Sequence, residues 1–213
     1  MKYKSITLTL ILFIGFMIAE ENTMGKEMDD NSSASGALDT ATFGAGCFWC
    51  VEAIFQELEG VESVVSGYSG GTLDNPTYDD ITTGTSGHAE VAQLTFDPDK
   101  IGYLDLLMVF FQTHDPTSLN KQGNDFGPQY RSAIFYHNDE QKMMAEMTRN
   151  QLDATDTWEK PIVTEISAFK KFYKAEKYHQ DYFTKNANIP YCQLIIQPKV
   201  DSFREVFKGK LKK

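Results

Sequence analysis

The spacing of apolar residues changes period several times between about Asp39 and Lys208, and each change marks an element. Ala41–Phe43 reads as a short strand entering the turn Gly44-Ala45-Gly46. Phe48 to about Leu58 carries Val51, Ile54, Phe55 and Leu58 at helical spacing. Val61–Ser69 reads as a strand closed by Gly70-Gly71, and Ala89–Phe96 alternates as another. Ile101–Thr113 is an apolar helix with Leu104, Met108 and Phe111 on its face. Ser132–Tyr136 and Ile162–Ala168 read as strands. Asp139–Leu152 reads as a helix capped by Asn138 or Asp139, and Ala175–Phe183 as a further helix. Strands and helices mixed in this way predict an α+β fold, a mixed sheet packed with helices in a two-layer α/β sandwich, whose strand order the pattern does not specify.

Two features stand apart from this pattern. In Ala89–Phe96 the alternation puts Ala92, Leu94 and Phe96 on one face, and Glu90 shares their parity. A carboxyl group is therefore expected at the end of an apolar face, unless the strand frays there and turns it to water. The segment between Thr72 and His88, "TLDNPTYDDITTGTSGH", is long and irregular, and such loops often carry function.

The N-terminus is a separate object. Two lysines in Met1–Lys4 precede the apolar run Ile6–Ala19, as in a secretory signal, and the run is shorter than a spanning helix needs. Residues 1–19 are expected to be a signal peptide, or else a membrane anchor. That places the protein outside the cytoplasm, in the periplasm or cell envelope. Residues 20–38 are polar and aperiodic, a flexible linker. Residues 39–208 are expected to fold as one domain, with 209–213 a short basic, solvated tail.

Composition removes one class of function. Thirty acidic residues against twenty basic give a net charge of -10. A nucleic-acid binder needs a basic surface, so none is expected here.

The three cysteines, Cys47, Cys50 and Cys192, narrow the chemistry. A structural zinc site wants four ligands with a second close pair, which is missing, so no metal is expected. Cys47 follows a strand and a Gly-Ala-Gly turn and opens a helix, where amide N–H groups and the helix dipole favour a thiolate. The pattern of Cys47 and Cys50 leaves a thiol–disulfide couple and a reactive nucleophile both open.

"GCFWC" with the following "VEAIFQELEGV" resembles the A-type peptide methionine sulfoxide reductases. So do "GYSGG" at Gly67–Gly71, "NPTYDDITTGTSGHAEV" at Asn75–Val91, "HDPTSLNKQGNDFGPQYRSAIF" at His114–Phe135 and "AEKYHQDYF" at Ala175–Phe183. The resemblance implies a ferredoxin-like core and reduction of methionine S-sulfoxide, free or in oxidised proteins, as a repair reaction. It implies Cys47 as nucleophile, Glu90 as acid and Tyr78 and Tyr130 as hydroxyl donors. Phe48 and Trp49 become the wall for the substrate methyl group, and Asp125 a polar residue of the site. No cofactor is implied beyond an external dithiol such as thioredoxin, and a monomer is expected. A sulfenic acid on Cys47 would be resolved by Cys192 or Cys50. Cys192 is preferred: it lies in a segment between Pro190 and Pro198 that reads as irregular and movable, whereas a Cys47–Cys50 bridge inside the first turn of one helix would be strained. A general thiol–disulfide oxidoreductase and a sensor that binds oxidised methionine without turnover are the rival readings.

Overall fold

The computed structural model describes residues 36–155 and 157–213. The expected signal or anchor at 1–19 and most of the expected linker at 20–38 lie outside the described residues. The strands among the described residues are β1 (Asp39–Ala45), β2 (Val61–Ser69), β3 (Ala89–Phe96), β4 (Lys121–Gln122), β5 (Asp125–Phe126), β6 (Ser132–Tyr136), β7 (Glu165–Ala168) and β8 (Phe172–Lys174). The helices are α1 (Phe48–Phe55), α2 (Tyr78–Thr82), α3 (Tyr103–Thr113), α4 (Asp139–Asp153), α5 (Tyr182–Lys185) and α6 (Gln197–Phe207). Two 3-10 turns, Pro128–Tyr130 and Lys177–His179, and a π-helical turn, Cys192–Ile196, complete the set.

The main sheet runs β7-β6-β1-β3-β2-β8. Its β6–β7 pair is parallel and the other pairs are antiparallel. β1 and β2, connected through α1, have β3 between them. β3 and β6, connected through α3, have β1 between them. Two β-α-β units thus interleave, and β1 and β3 lie at the centre, with Phe43 opposite Ala92 on one side and Ile134 on the other. Phe43, Ala92, Leu94, Phe96 and Ile134 pack with Ile54 and Phe55 of α1 and Leu107 and Phe110 of α3 in one core. Each large side chain buried there contributes about 1.5–3 kcal/mol of transfer free energy. Ala89, Val91, Ala133 and Phe135 form a smaller cluster under Phe169 and Phe172. The α+β class expected from the sequence is the observed one.

Several elements differ from their sequence-based expectation, each for a local reason. α1 stops at Phe55, and Leu58 bridges to Leu211 instead. β7 begins only at Glu165, because the Ile162 N–H donates to Asp153 Oδ1 (2.6 Å) and the Val163 N–H to the Pro116 carbonyl (2.9 Å). The expected helix Ala175–Phe183 is a 3-10 turn and α5, separated by Asp181 in the left-handed region at φ 53°. The segment around Cys192 is not irregular: it is a π-helical turn continuous with α6, with Cys192 and Ile196 buried, which the sequence reading missed. The basic tail is tied down. The Glu59 N–H donates to the Lys210 carbonyl and the Lys212 N–H to the Glu57 carbonyl, each at 2.8 Å.

The β4–β5 hairpin packs against the turn that leads into α1. Gly46 there has φ 88°, and a Cβ on it would stand 2.5 Å from Gln122 Cβ. Gln122 is itself held at both ends of its amide, to the backbone N–H and carbonyl of Asp115 at 3.1 Å each. Gly46→Ala is therefore expected to destabilise the fold by roughly 1–3 kcal/mol, from left-handed strain and the clash together. Urea unfolding should show the midpoint falling with an unchanged slope.

Candidate active site

β1 ends in the Gly46 turn and delivers Cys47 to the N-cap of α1, with φ −58° and ψ 120°. Its carbonyl already accepts from the Cys50 N–H at 3.0 Å and the Val51 N–H at 3.4 Å. Cys50 is three residues into the helix. N-cap and N3 are the positions whose side chains approach each other in a capping box. Here both carry thiols, and the Cys47 and Cys50 side chains are hydrogen-bonded. All three cysteines are free and buried.

The first amide of α1 belongs to the other side of the site. Phe48 N–H donates to Glu90 Oε2 at 3.0 Å. Glu90 comes from the start of β3, paired with Tyr68 of β2, and is 1% exposed. The parity expectation holds: the carboxyl group points into the helix-covered face and does not turn to water. Burial pushes its pKa up to about 8, the Phe48 N–H opposing, with the charges of Asp125 and Cys50 adding to the rise. At neutral pH Glu90 is a protonated acid.

The thiols depart from the sequence-based expectation. Burial pushes the Cys47 thiol well up, helped by its hydrogen bond to Cys50. The N1 amide that was expected to favour a thiolate is spent on Glu90. Cys50 moves the other way. The Cys47 hydrogen bond lowers it first, against burial, and the Lys199 ammonium, 3.7 Å from Cys50 Sγ, acts in the same direction. A negative charge on this pair rests on Cys50, with Cys47 as the S–H donor.

Tyr78 opens α2, and Tyr130 closes the Pro128–Tyr130 turn. Burial raises both phenols, Tyr130 to about 12, and the charges of Glu90 and Cys47 act on each. They stay neutral donors beside the acid and the thiol. Asp125, on the β4–β5 hairpin, accepts from Tyr191 Oη at 3.1 Å, and burial raises it.

Trp49 and Phe48 form an aromatic wall. Trp49 stacks on Tyr182 at 3.6 Å between ring centres and 5° between planes, and meets Tyr191 edge-on at 5.7 Å. Its indole N–H donates to His179 Nδ1 at 3.1 Å, which assigns His179 the neutral tautomer with Nε2–H. The His179 ring also lies 4.9 Å from Phe48 and 4.4 Å from Tyr78. Glu176 accepts from the Tyr78 N–H and the Tyr68 hydroxyl, each at 2.8 Å, and so seats the start of α2 on the sheet.

Every residue singled out from sequence for the first chemical step, Cys47, Phe48, Trp49, Tyr78, Glu90, Asp125 and Tyr130, is gathered here. Cys192 is fully buried on the π-helical turn, near enough for the Cys50 charge to act on it. Sequence reasoning missed Tyr191, Glu176 and Lys199, and it assigned Tyr182 and His179 only a packing or structural role. The aromatic density of "KYHQDYF" was the one available signal; nothing local marked Lys199. Among the described residues, no group of three His, Cys, Asp or Glu side chains is placed to hold a metal.

Residues 39–211 match the family described as "Peptide methionine sulfoxide reductase". The peptide methionine sulfoxide reductase MsrA of Natronomonas pharaonis is 52% identical over 172 residues, covering 81% of this chain and 97% of that protein. Among solved structures, reduced Mxr1 from Saccharomyces cerevisiae superposes with a TM-score of 0.68 at 30% identity, over 76% of this chain and 92% of that one. Methionine sulfoxide reductase A of Corynebacterium diphtheriae gives 0.64 at 33% identity, over 72% and 78%.

The Glu90 environment has a consequence for stability. Its pKa is raised on folding from 4.5 to about 8, so the folded chain holds this proton where the unfolded chain has lost it. Stability is therefore lost as pH rises between those values, and the loss is complete above the folded pKa. Glu90→Gln keeps the acceptor for the Phe48 N–H and removes the ionisation. Its advantage in unfolding free energy over the parent chain is expected to grow across that window and level off above about pH 8. The plateau should be on the order of a few kcal/mol. Chemical denaturation at several pH values reads this directly; an advantage that stays constant with pH would contradict a buried neutral acid.

Proposed function

The chain belongs to the A-type peptide methionine sulfoxide reductase family and is a peptide-methionine (S)-S-oxide reductase acting in protein repair, and from that premise we propose how its own side chains perform the reaction. Cys47 attacks the sulfoxide sulfur. Glu90 delivers a proton to the departing oxygen, and the Tyr78 and Tyr130 hydroxyls donate hydrogen bonds to it. The S–O bond to the substrate breaks and a Cys47 sulfur–oxygen bond forms. The products are methionine and a sulfenic acid, and the thiol proton of Cys47 restores Glu90. Phe48 and Trp49 receive the substrate methyl group, and Asp125 adds a polar contact. The observation that carries this reading is the Phe48 N–H to Glu90 hydrogen bond, which holds a carboxyl group of pKa about 8 next to the Cys47 sulfur.

The resolving step is proposed differently from the sequence-based preference. Cys50 is assigned the attack on the sulfenic acid, ahead of Cys192. Two observations support the change. Cys47 lies at the N-cap, outside the helical turn, so a bridge to N3 does not require that turn to unwind. Cys192 lies in a regular helical turn with its own side chain and that of Ile196 buried in the core, so swinging the thiol toward Cys47 would require pulling it out of that packing. A thioredoxin-like dithiol then reduces the bridge.

With dithiothreitol and each sulfoxide epimer of a blocked methionine, only the S epimer is expected to be consumed. Cys47→Ser should abolish turnover. Glu90→Gln should slow the chemical step roughly 10²–10⁴-fold. The parent single-turnover rate should fall as pH rises through about 8, where Glu90 loses its proton, and this inflection should vanish in the Gln variant. Consumption of both epimers, or efficient disulfide reduction in place of sulfoxide reduction, would reject the assignment. For resolution, peptide mapping after one equivalent of sulfoxide without reductant should recover a Cys47–Cys50 bridge. Recovery of Cys47–Cys192 alone would restore the sequence-based choice.

A further inference from the structure

We propose that Lys199 is the positioning residue of the resolving step: its ammonium, 3.7 Å from Cys50 Sγ, pairs with that sulfur as a thiolate and keeps it aimed at Cys47. The inference rests on the assignment of Cys50 as resolving thiol and adds the group that prepares it.

The placement comes from the C-terminal helix. Ile196, Val200, Phe203 and Phe207 are buried in the core, and anchor the π-helical turn and α6 against the rest of the domain. Lys199 precedes Val200 and is half-buried, with its ammonium at the Cys50 sulfur. A lysine stem buried in this way leaves its charged end a defined position. The wide turn Cys192–Ile196 sits directly before this stretch, and π turns are frequent where a helix must present side chains to a functional site.

The charges facing Cys50 leave Lys199 a specific task. Cys47 donates a hydrogen bond to it. Asp125, Glu90, Tyr191 and Cys192 also act on it electrostatically or feel its charge. Ionised carboxylates or phenols in that set oppose a thiolate. Lys199 is the cation that acts on Cys50 among the groups named, and burial gives its charge more effect than it would have in water.

The chemistry uses a thiolate twice. In resolution, the Cys50 thiolate attacks the Cys47 sulfur, an S–S bond forms and the S–O bond breaks. Hydroxide leaves and is protonated by Glu90, so water is released. In recycling, a thiolate from an external dithiol attacks the bridge at Cys47, and Cys50 departs as the thiolate that Lys199 stabilises. A lower leaving-group pKa speeds that departure. Lys199 also lines a cavity of about 270 Å³ with Gln122, Asn124, Asp125, Tyr191 and Pro198.

The test reads Cys50 directly. In the full chain carrying Cys47→Ser and Cys192→Ser, Cys50 is the sole thiol. Its thiolate can be titrated by ultraviolet absorbance. Lys199→Met is expected to raise the midpoint by about one unit or more, a tenfold loss of thiolate at fixed pH below it, while Lys199→Arg holds the midpoint near the parent value. Lys199→Gln serves in place of Met if that variant unfolds. With all three cysteines present, the rate of Cys47–Cys50 bridge formation after one equivalent of sulfoxide should follow the same order, its pH midpoint moving up in Met and back in Arg. An unmoved midpoint in the Met and Gln variants, or an Arg variant that behaves like Met, overturns the proposal. A raised midpoint without any Cys47–Cys50 bridge also overturns it, by removing Cys50 from resolution, and leaves sulfoxide reduction at Cys47 untouched.

Discussion

A buried carboxyl group with a single hydrogen-bond donor, the first amide of a helix, organises this molecule. The Phe48 N–H to Glu90 bond ties the N-terminus of α1 to the central strand β3. It consumes one of the four N–H groups that a helix start leaves unsatisfied. Because the carboxyl group is buried, that one hydrogen bond is not enough to keep it ionised near neutrality. The same bond therefore fixes where Cys47 sits and ensures that a proton waits beside it.

The surrounding shell holds that pair in place. Trp49 is clamped by Tyr182, Tyr191 and His179. Glu176 bolts Tyr78 and Tyr68 to one carboxylate. Raised phenol pKa values keep Tyr78 and Tyr130 as donors whatever Glu90 does. Such burial costs folding free energy, since each group would be better hydrated in the unfolded chain. The cost is the usual one of holding reactive groups out of solvent. The interdigitated core around Phe43, Phe55 and Phe110 offsets it.

The two thiols divide the labour by environment. Cys47, buried with its amide neighbour already engaged, keeps its proton at rest, whereas Cys50 gains from both Cys47 and Lys199. Cysteines three residues apart are thus made unlike by the hydrogen bond between them and by an ammonium 149 residues from Cys50. Their spacing alone suggested a strained bridge. The N-cap conformation of Cys47, a property of the turn at Gly46, removes that objection.

The sequence by itself determined which segments are strands and helices wherever an apolar face repeats over a full element. It identified β2, β3 and β6 at their observed ends and α3 and α4 within two residues. It also placed Glu90 on the helix-covered face, because strand parity is a purely local property. The motifs "GCFWC", "NPTYDD" and "GPQY" marked residues that gather around Cys47 only through their resemblance to a family, since nothing local in them fixes what they face. What only the tertiary structure decided depends on segments distant in the chain. The break at Asp181, the late start of β7, the helical turn that buries Cys192 and the anchored C-terminus arise from bonds to Glu52, Asp153, Pro116, Glu57 and Glu59 and from packing against the core. Ionisation states belong with them. Whether Cys47 or Cys50 carries the charge follows from the hydrogen bond between the two thiols, from burial and from an ammonium on the last helix, and neither burial nor a contact across the fold is written in the spacing of neighbouring residues.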